Sequence, residues 1–112
     1  MASDQDFVEF VADQMEAAGH ITFRKMFGEY AVYCDGKVVA LVCDNQLFVK
    51  PTEAGKSYIG TVCEAPPYPG ARMYFLIEDQ YEDAQWLSGL IQLTARELPL
   101  PKPKASKKRK LR

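Results

Sequence analysis

Between Glu29 and Lys50 the chain reads as three short apolar runs separated by two polar pairs, and few folds accommodate that pattern. The pairs are Asp35-Gly36 and Asp44-Asn45, residue types that tolerate positive φ. Two-residue loops of this kind close tight β-hairpins, because their backbone twist matches that of the strands they join. Three antiparallel strands are therefore expected, at about 29–34, 37–43 and 46–50. The middle run, Val38-Val39-Ala40-Leu41-Val42, is apolar on both faces, so both of its faces need cover. Helices should take one face, and aromatic neighbours such as Tyr33 and Phe48, or a partner chain, the other.

Upstream, Phe7, Phe10, Val11, Met15 and Ala18 follow helical spacing, with Ser3 placed to cap the helix and Gly19 placed to stop it. Downstream, Pro51 ends the third strand, Thr52 is placed to cap a short helix to about residue 59, and the prolines of 64–70 mark a loop. A fourth strand is expected at 72–77. The segment 82–98 predicts a closing helix with Trp86, Leu87, Leu90, Ile91 and Thr94 on one stripe and Gly89 as its weak point. Pro99, Pro101 and Pro103 prevent its continuation. The resulting fold class is α+β: an antiparallel sheet of about four to five strands packed with helices, in the order α-β-β-β-α-β-α, as a sandwich layered on at least one side by helices.

Charge divides the chain in two. Residues 1–101 carry seven basic and fifteen acidic side chains, a net −8, whereas residues 102–112 carry seven basic and no acidic ones. Residues 1–100 are thus expected to form one folded domain and residues 101–112 a disordered basic tail, since a block of like charge solvates and repels itself. No apolar run approaches the roughly 20 residues of a membrane-spanning helix, and Asp4 and Asp6 make the N-terminus acidic where a secretory signal would be basic. A cytoplasmic chain without membrane contact is the expectation. Cys34, Cys43 and Cys63 are odd in number and form no C-x-x-C pair, so reduced thiols are expected rather than a disulfide, zinc or redox site.

The candidate chemistry is sparse. Gly55-Lys56-Ser57 matches the end of a phosphate-binding loop, but Lys50 stands where that motif needs its first glycine. His20 is the one histidine and has no recognisable nucleophile context, which favours a turn role. Glu78, Asp79, Glu82 and Asp83 straddle a strand end and a helix start, where acids stabilise free backbone N–H groups. No catalytic residue, metal ligand or cofactor is expected. Two basic clusters remain. Lys102, Lys104, Lys107, Lys108, Arg109, Lys110 and Arg112 suit non-specific contact with nucleic acid or another polyanion, because clustered cations release phosphate counterions. Arg24 and Lys25, interleaved with Phe27 and Tyr30, form a possible second interaction surface. The plainer alternative sends Met26 and Phe27 into the core.

One segment resembles a known family. Arg24-Lys25-Met26-Phe27-Gly28-Glu29-Tyr30, the Asp35-Gly36 turn, Leu47-Phe48-Val49-Lys50, and Tyr68-Pro69-Gly70 ahead of Met73-Tyr74-Phe75 together resemble the TfoX N-terminal domain over roughly residues 7–100. The resemblance implies a two-layer fold similar to the secretion-chaperone architecture. It also implies a non-enzymatic regulatory or interaction module, related to regulators of DNA-uptake competence. Full regulators of that kind carry a second, C-terminal domain where this chain has its lysine-rich tail, so a stand-alone relative is the expectation. The partners implied are a protein, with the transcription machinery as the candidate, and weakly held nucleic acid. The alternatives are a small-ligand or catalytic protein using the cleft between the sheet and the proline-rich loop, and a homodimeric scaffold.

Overall fold

The computed structural model describes residues 4–26 and 29–98. Helix α1 spans Gln5–Gln14, followed by a 3₁₀ turn at Glu16–Ala18. Four strands come next: β1 Ile21–Met26, β2 Glu29–Cys34, β3 Lys37–Cys43 and β4 Gln46–Val49. Helix α2, Glu53–Ile59, precedes the two-residue strand β5, Glu64–Ala65, and strand β6, Tyr74–Ile77. A second 3₁₀ turn at Gln80–Glu82 leads into α3, Ala84–Glu97. All six strands form one sheet in the order β1-β2-β3-β4-β6-β5, with every pairing antiparallel. The α+β class and the layered architecture agree with the sequence.

The two expected hairpin turns are present. Asp35 and Gly36 have φ of 51° and 85°, and Asp44 and Asn45 have 54° and 56°, the positive pair that a type I′ turn requires. A bulge between Val32 and Tyr33 shifts the β2/β3 register, so that Val32 faces Ala40 while Tyr33 faces Val38. Val39 is the extra residue, and it is fully buried alongside Ala40.

Among the described residues, helices α1, α2 and α3 lie on one face of the sheet. Beneath them pack Val32, Val42, Leu47, Val49, Phe75 and Ile77 from the strands. Val8 and Val11 of α1, Met15 just past its end, and Leu87, Leu90 and Ile91 of α3 close the core from above. Two polar clasps fix α3. Lys37 donates from Nζ to the carbonyls of Ala95 (2.7 Å) and Leu98 (3.0 Å), placing a cation on the carbonyl end of the helix. Glu97 accepts from the N–H groups of Glu53 and Ala54, while Thr52 Oγ1 accepts from Gly55 N–H at 2.9 Å, so α2 starts with three donors satisfied.

Several expectations need correction. The sheet has six strands, because Ile21–Met26 and Glu64–Ala65 also pair. Both are edge strands with little buried surface, so they leave a weak hydrophobic signature. On the first helix Val11 and Met15 are buried as expected and Phe7 and Ala18 pack partly buried against the core, but Val8 and Ala12 join them and Phe10 remains 43 % exposed. Ser3 lies outside the described residues; the cap position is taken by Asp4, whose N–H donates to Asn45 Oδ1. Met26 does not enter the core and is 43 % exposed. Among the described residues no helix covers the second face of β3, where Val38 and Leu41 are only half-buried.

Candidate functional site

Strand residues alternate between faces, so the residues that do not meet the helices share the opposite face of the sheet. Register places Ala31 of β2 beside Leu41 of β3, Leu41 beside Phe48 of β4, and Phe48 beside Leu76 of β6. Phe48 and Ala31 fill the middle of that face, 3 % and 1 % exposed. Around them opens a groove of about 560 Å³. Its floor is Ala31, Val38 and Leu41, and Met26 and Tyr30 border it on one side. Tyr68 and Tyr74 form the other wall, and its polar linings are Glu29, Cys43 and Lys50.

Local chemistry explains how the second wall is built. Tyr74 comes from β6, whose register is fixed by pairing Phe75 with Val49. Tyr68 comes from the preceding loop, where Ala71 N–H donates to the Tyr68 carbonyl at 3.1 Å across Pro69-Gly70, and Gly70 has φ of 88°. Proline and then a positive-φ glycine at the two central positions are what a type II turn asks for. Pro67 is buried and anchors the loop, leaving Tyr68 56 % exposed at the rim.

The groove's polar residues differ in their surroundings. Cys43 is 5 % exposed, and burial, reinforced by the Glu29 and Asp44 carboxylates, pushes its thiol up to about 11. Burial and the neighbouring Tyr68 raise the Tyr74 phenol, with Arg72 opposing them. Glu29 accepts from the Asp44 N–H at 3.1 Å. Lys50 is partly covered, its backbone N–H donates to the Val39 carbonyl, and its ammonium makes no hydrogen bond or ion pair among the described residues.

The sequence-derived candidates fall in different places. Arg24 and Lys25 are exposed on the edge strand β1. Tyr30 is buried, with its ring edge-on to Phe23 at 5.9 Å, and borders the groove. Phe27 lies outside the described residues, as do the tail cations Lys102, Lys104, Lys107, Lys108, Arg109, Lys110 and Arg112. His20 is an exposed turn residue whose N–H donates to Asp35 Oδ1 and whose carbonyl accepts from Asp35 N–H. Of the four acids at 78–83, Asp83 caps α3 by accepting from Trp86 N–H at 3.1 Å. Gly55 is buried within the first turn of α2, and its N–H donates to the capping Thr52 Oγ1 at 2.9 Å. Among the described residues no three His, Cys, Asp or Glu side chains are grouped to hold a metal, and no helix is long and apolar enough to cross a membrane.

The sequence offered the cleft between the sheet and the proline-rich loop that carries Tyr68 as an alternative site, but it did not single out Leu41, Lys50 or Tyr74 as its lining. Their signal was present in the two-faced apolar pattern of β3, but the pattern alone does not say which face the helices leave bare. Met26, Glu29, Tyr30, Lys50, Tyr68 and Tyr74 come from three separate segments that carry the family resemblance, and the fold brings them to one groove. Residues 13–98 match the family model of the TfoX N-terminal domain. The chain is also 41 % identical over 107 residues to a protein of Spirochaeta aurantia described as an uncharacterized 12.7 kDa protein in the trpE 5′ region. That alignment covers 96 % of this chain and 93 % of the relative.

Proposed function

The chain belongs to the TfoX N-terminal domain family, and from that premise we propose that it is a non-enzymatic regulatory module that acts by binding. The recognition surface is the helix-free face of the sheet, and the lysine-rich tail adds non-specific attraction to nucleic acid or another polyanion. The observation that carries the reading is the groove: apolar and aromatic walls, a few polar linings, and a volume within the roughly 300 to 1,000 Å³ usual for binding sites. A protein partner, with the transcription machinery as the candidate, is what the family relation favours.

The test is affinity capture from native lysate with the full chain, a chain lacking residues 102–112, and Leu41→Asp, each first checked for a cooperative melt. Loss of a captured protein with Leu41→Asp but not with the tail deletion supports the groove as the protein-binding surface. Equal capture by all three chains overturns it. A second reading, small-ligand binding under the 66–70 loop, is favoured by the groove's volume and by the position of Lys50 in it.

A further inference from the structure

The two charges lining the groove stand at opposite ends. Glu29 opens β2, opposite the Cys43 end of β3, whereas Lys50 follows β4 beside Val39, near the beginning of β3. The four residue steps from Val39 to Cys43 span about 13 Å of extended strand, and Glu29 lies a further strand away on β2, so Glu29 does not neutralise Lys50 directly. Glu29 is engaged by the Asp44 N–H. The Lys50 ammonium, by contrast, has no partner among the described residues although much of its side chain is covered.

A cation held at one end of an apolar cleft is complementary to a molecule with an apolar ring and one anionic group. Leu41 offers a flat aliphatic floor, and Tyr68 and Tyr74 offer ring faces and edges for stacking. We propose that the groove binds a small aromatic carboxylate, with its ring between Leu41 and the two tyrosines and its carboxylate accepting from Lys50 Nζ. This rests on the small-ligand reading of the groove and adds the chemical class of the ligand. A charge-assisted hydrogen bond in so apolar a setting supports a preference of roughly tenfold or more for the anion over a neutral isostere.

The experiment titrates the ¹⁵N-labelled full chain with naphthalene-2-carboxylate and, separately, with 2-naphthalenemethanol, following backbone amide shifts at fixed salt. Both should move the amides of Leu41, Lys50 and Tyr74, with the carboxylate binding at least tenfold more tightly. Lys50→Met should leave the alcohol's affinity in place and erase the difference, and Lys50→Arg should restore it. Retained alcohol binding also reports that the groove is intact in the variants. Equal affinities in the unaltered chain would overturn the role of Lys50 while leaving the groove as a recognition surface. Carboxylate shifts confined to residues 102–112 would assign the anion to the tail and overturn the proposal. If neither compound moved a groove amide, the groove would be excluded as a small-ligand site, and only the capture experiment would bear on protein recognition.

Discussion

Cys43 carries a pH dependence that follows from its place at the end of the groove. Burial and the Glu29 and Asp44 carboxylates raise its thiol from 9.0 to about 11, so the folded chain keeps a proton that the unfolded chain releases near 9. A group raised in this way contributes stability that is fully present below pH 9 and is lost as pH climbs toward 11. Two units correspond to about 2 to 3 kcal/mol of differential interaction. Tyr74, also raised, pulls the same way at higher pH. Thermal melts between pH 8 and 11 should therefore fall more steeply for the unaltered chain than for Cys43→Ala, and parallel curves would refute the assignment. Gly89 makes a second residue-scale case. A Cβ there would lie 2.5 Å from the Tyr58 hydroxyl, which donates to the Trp86 carbonyl at 2.9 Å. Gly89→Ala gains about 1 kcal/mol of helix propensity but displaces a hydrogen bond worth about the same. Its net effect on denaturant midpoint should be near zero, rising to a stabilisation of roughly 1 kcal/mol in a Tyr58→Ala background. The glycine is the space through which α2 and α3 meet, a role that helix propensity alone reads as weakness.

Strand β3 separates what the sequence disclosed from what it did not. Its hairpins were legible because Asp-Gly and Asp-Asn pairs leave few conformations open, and the caps at Thr52 and Asp83 were legible because their chemistry is local. Which face of β3 the helices cover depends on a bulge at Val32/Tyr33 and on clasps such as Lys37 to Ala95, set by residues 58 positions apart. Local patterning carries no trace of such pairs. Edge strands β1 and β5 escaped notice for a related reason: they are held mainly by backbone hydrogen bonds, which every sequence can make. The two faces of β3 give a direct prediction. Val42 is fully buried under the helices, while Leu41 is half-buried on the groove side. Val42→Asp should abolish cooperative folding, since an unpaired buried charge costs several kcal/mol against a typical total of roughly 5 to 15. Leu41→Asp, which a strand buried on both faces would tolerate no better, should cost about 1 to 2 kcal/mol because its carboxylate can reach water. Urea midpoints decide the matter, and equal losses in the two variants would mean that the groove face is closed in solution.

At the scale of the whole molecule, residues 1–101 carry a net −8 and residues 102–112 carry +7. The groove and the tail therefore answer to different physics: apolar contact is nearly indifferent to salt, whereas lysine–phosphate contact is governed by counterion release. The tail's charge is readable from composition alone, whereas the groove needed three distant segments to be folded together. If about five of the seven cations meet duplex DNA, log affinity should fall with log salt at a slope of about −4 to −5, taking roughly −0.9 per contact. Binding should also be indifferent to sequence, since point-charge contacts to phosphate carry no base information. The acidic domain repels the same polymer, so affinity at physiological salt should be weak and should vanish when residues 102–112 are removed. Fluorescence anisotropy with two unrelated duplexes across a salt series measures slope, preference and tail dependence together. Binding that survives the deletion, or that distinguishes the duplexes at fixed salt, would move the nucleic-acid site onto the β1 edge at Arg24 and Lys25, the remaining exposed pair of neighbouring cations on the described surface.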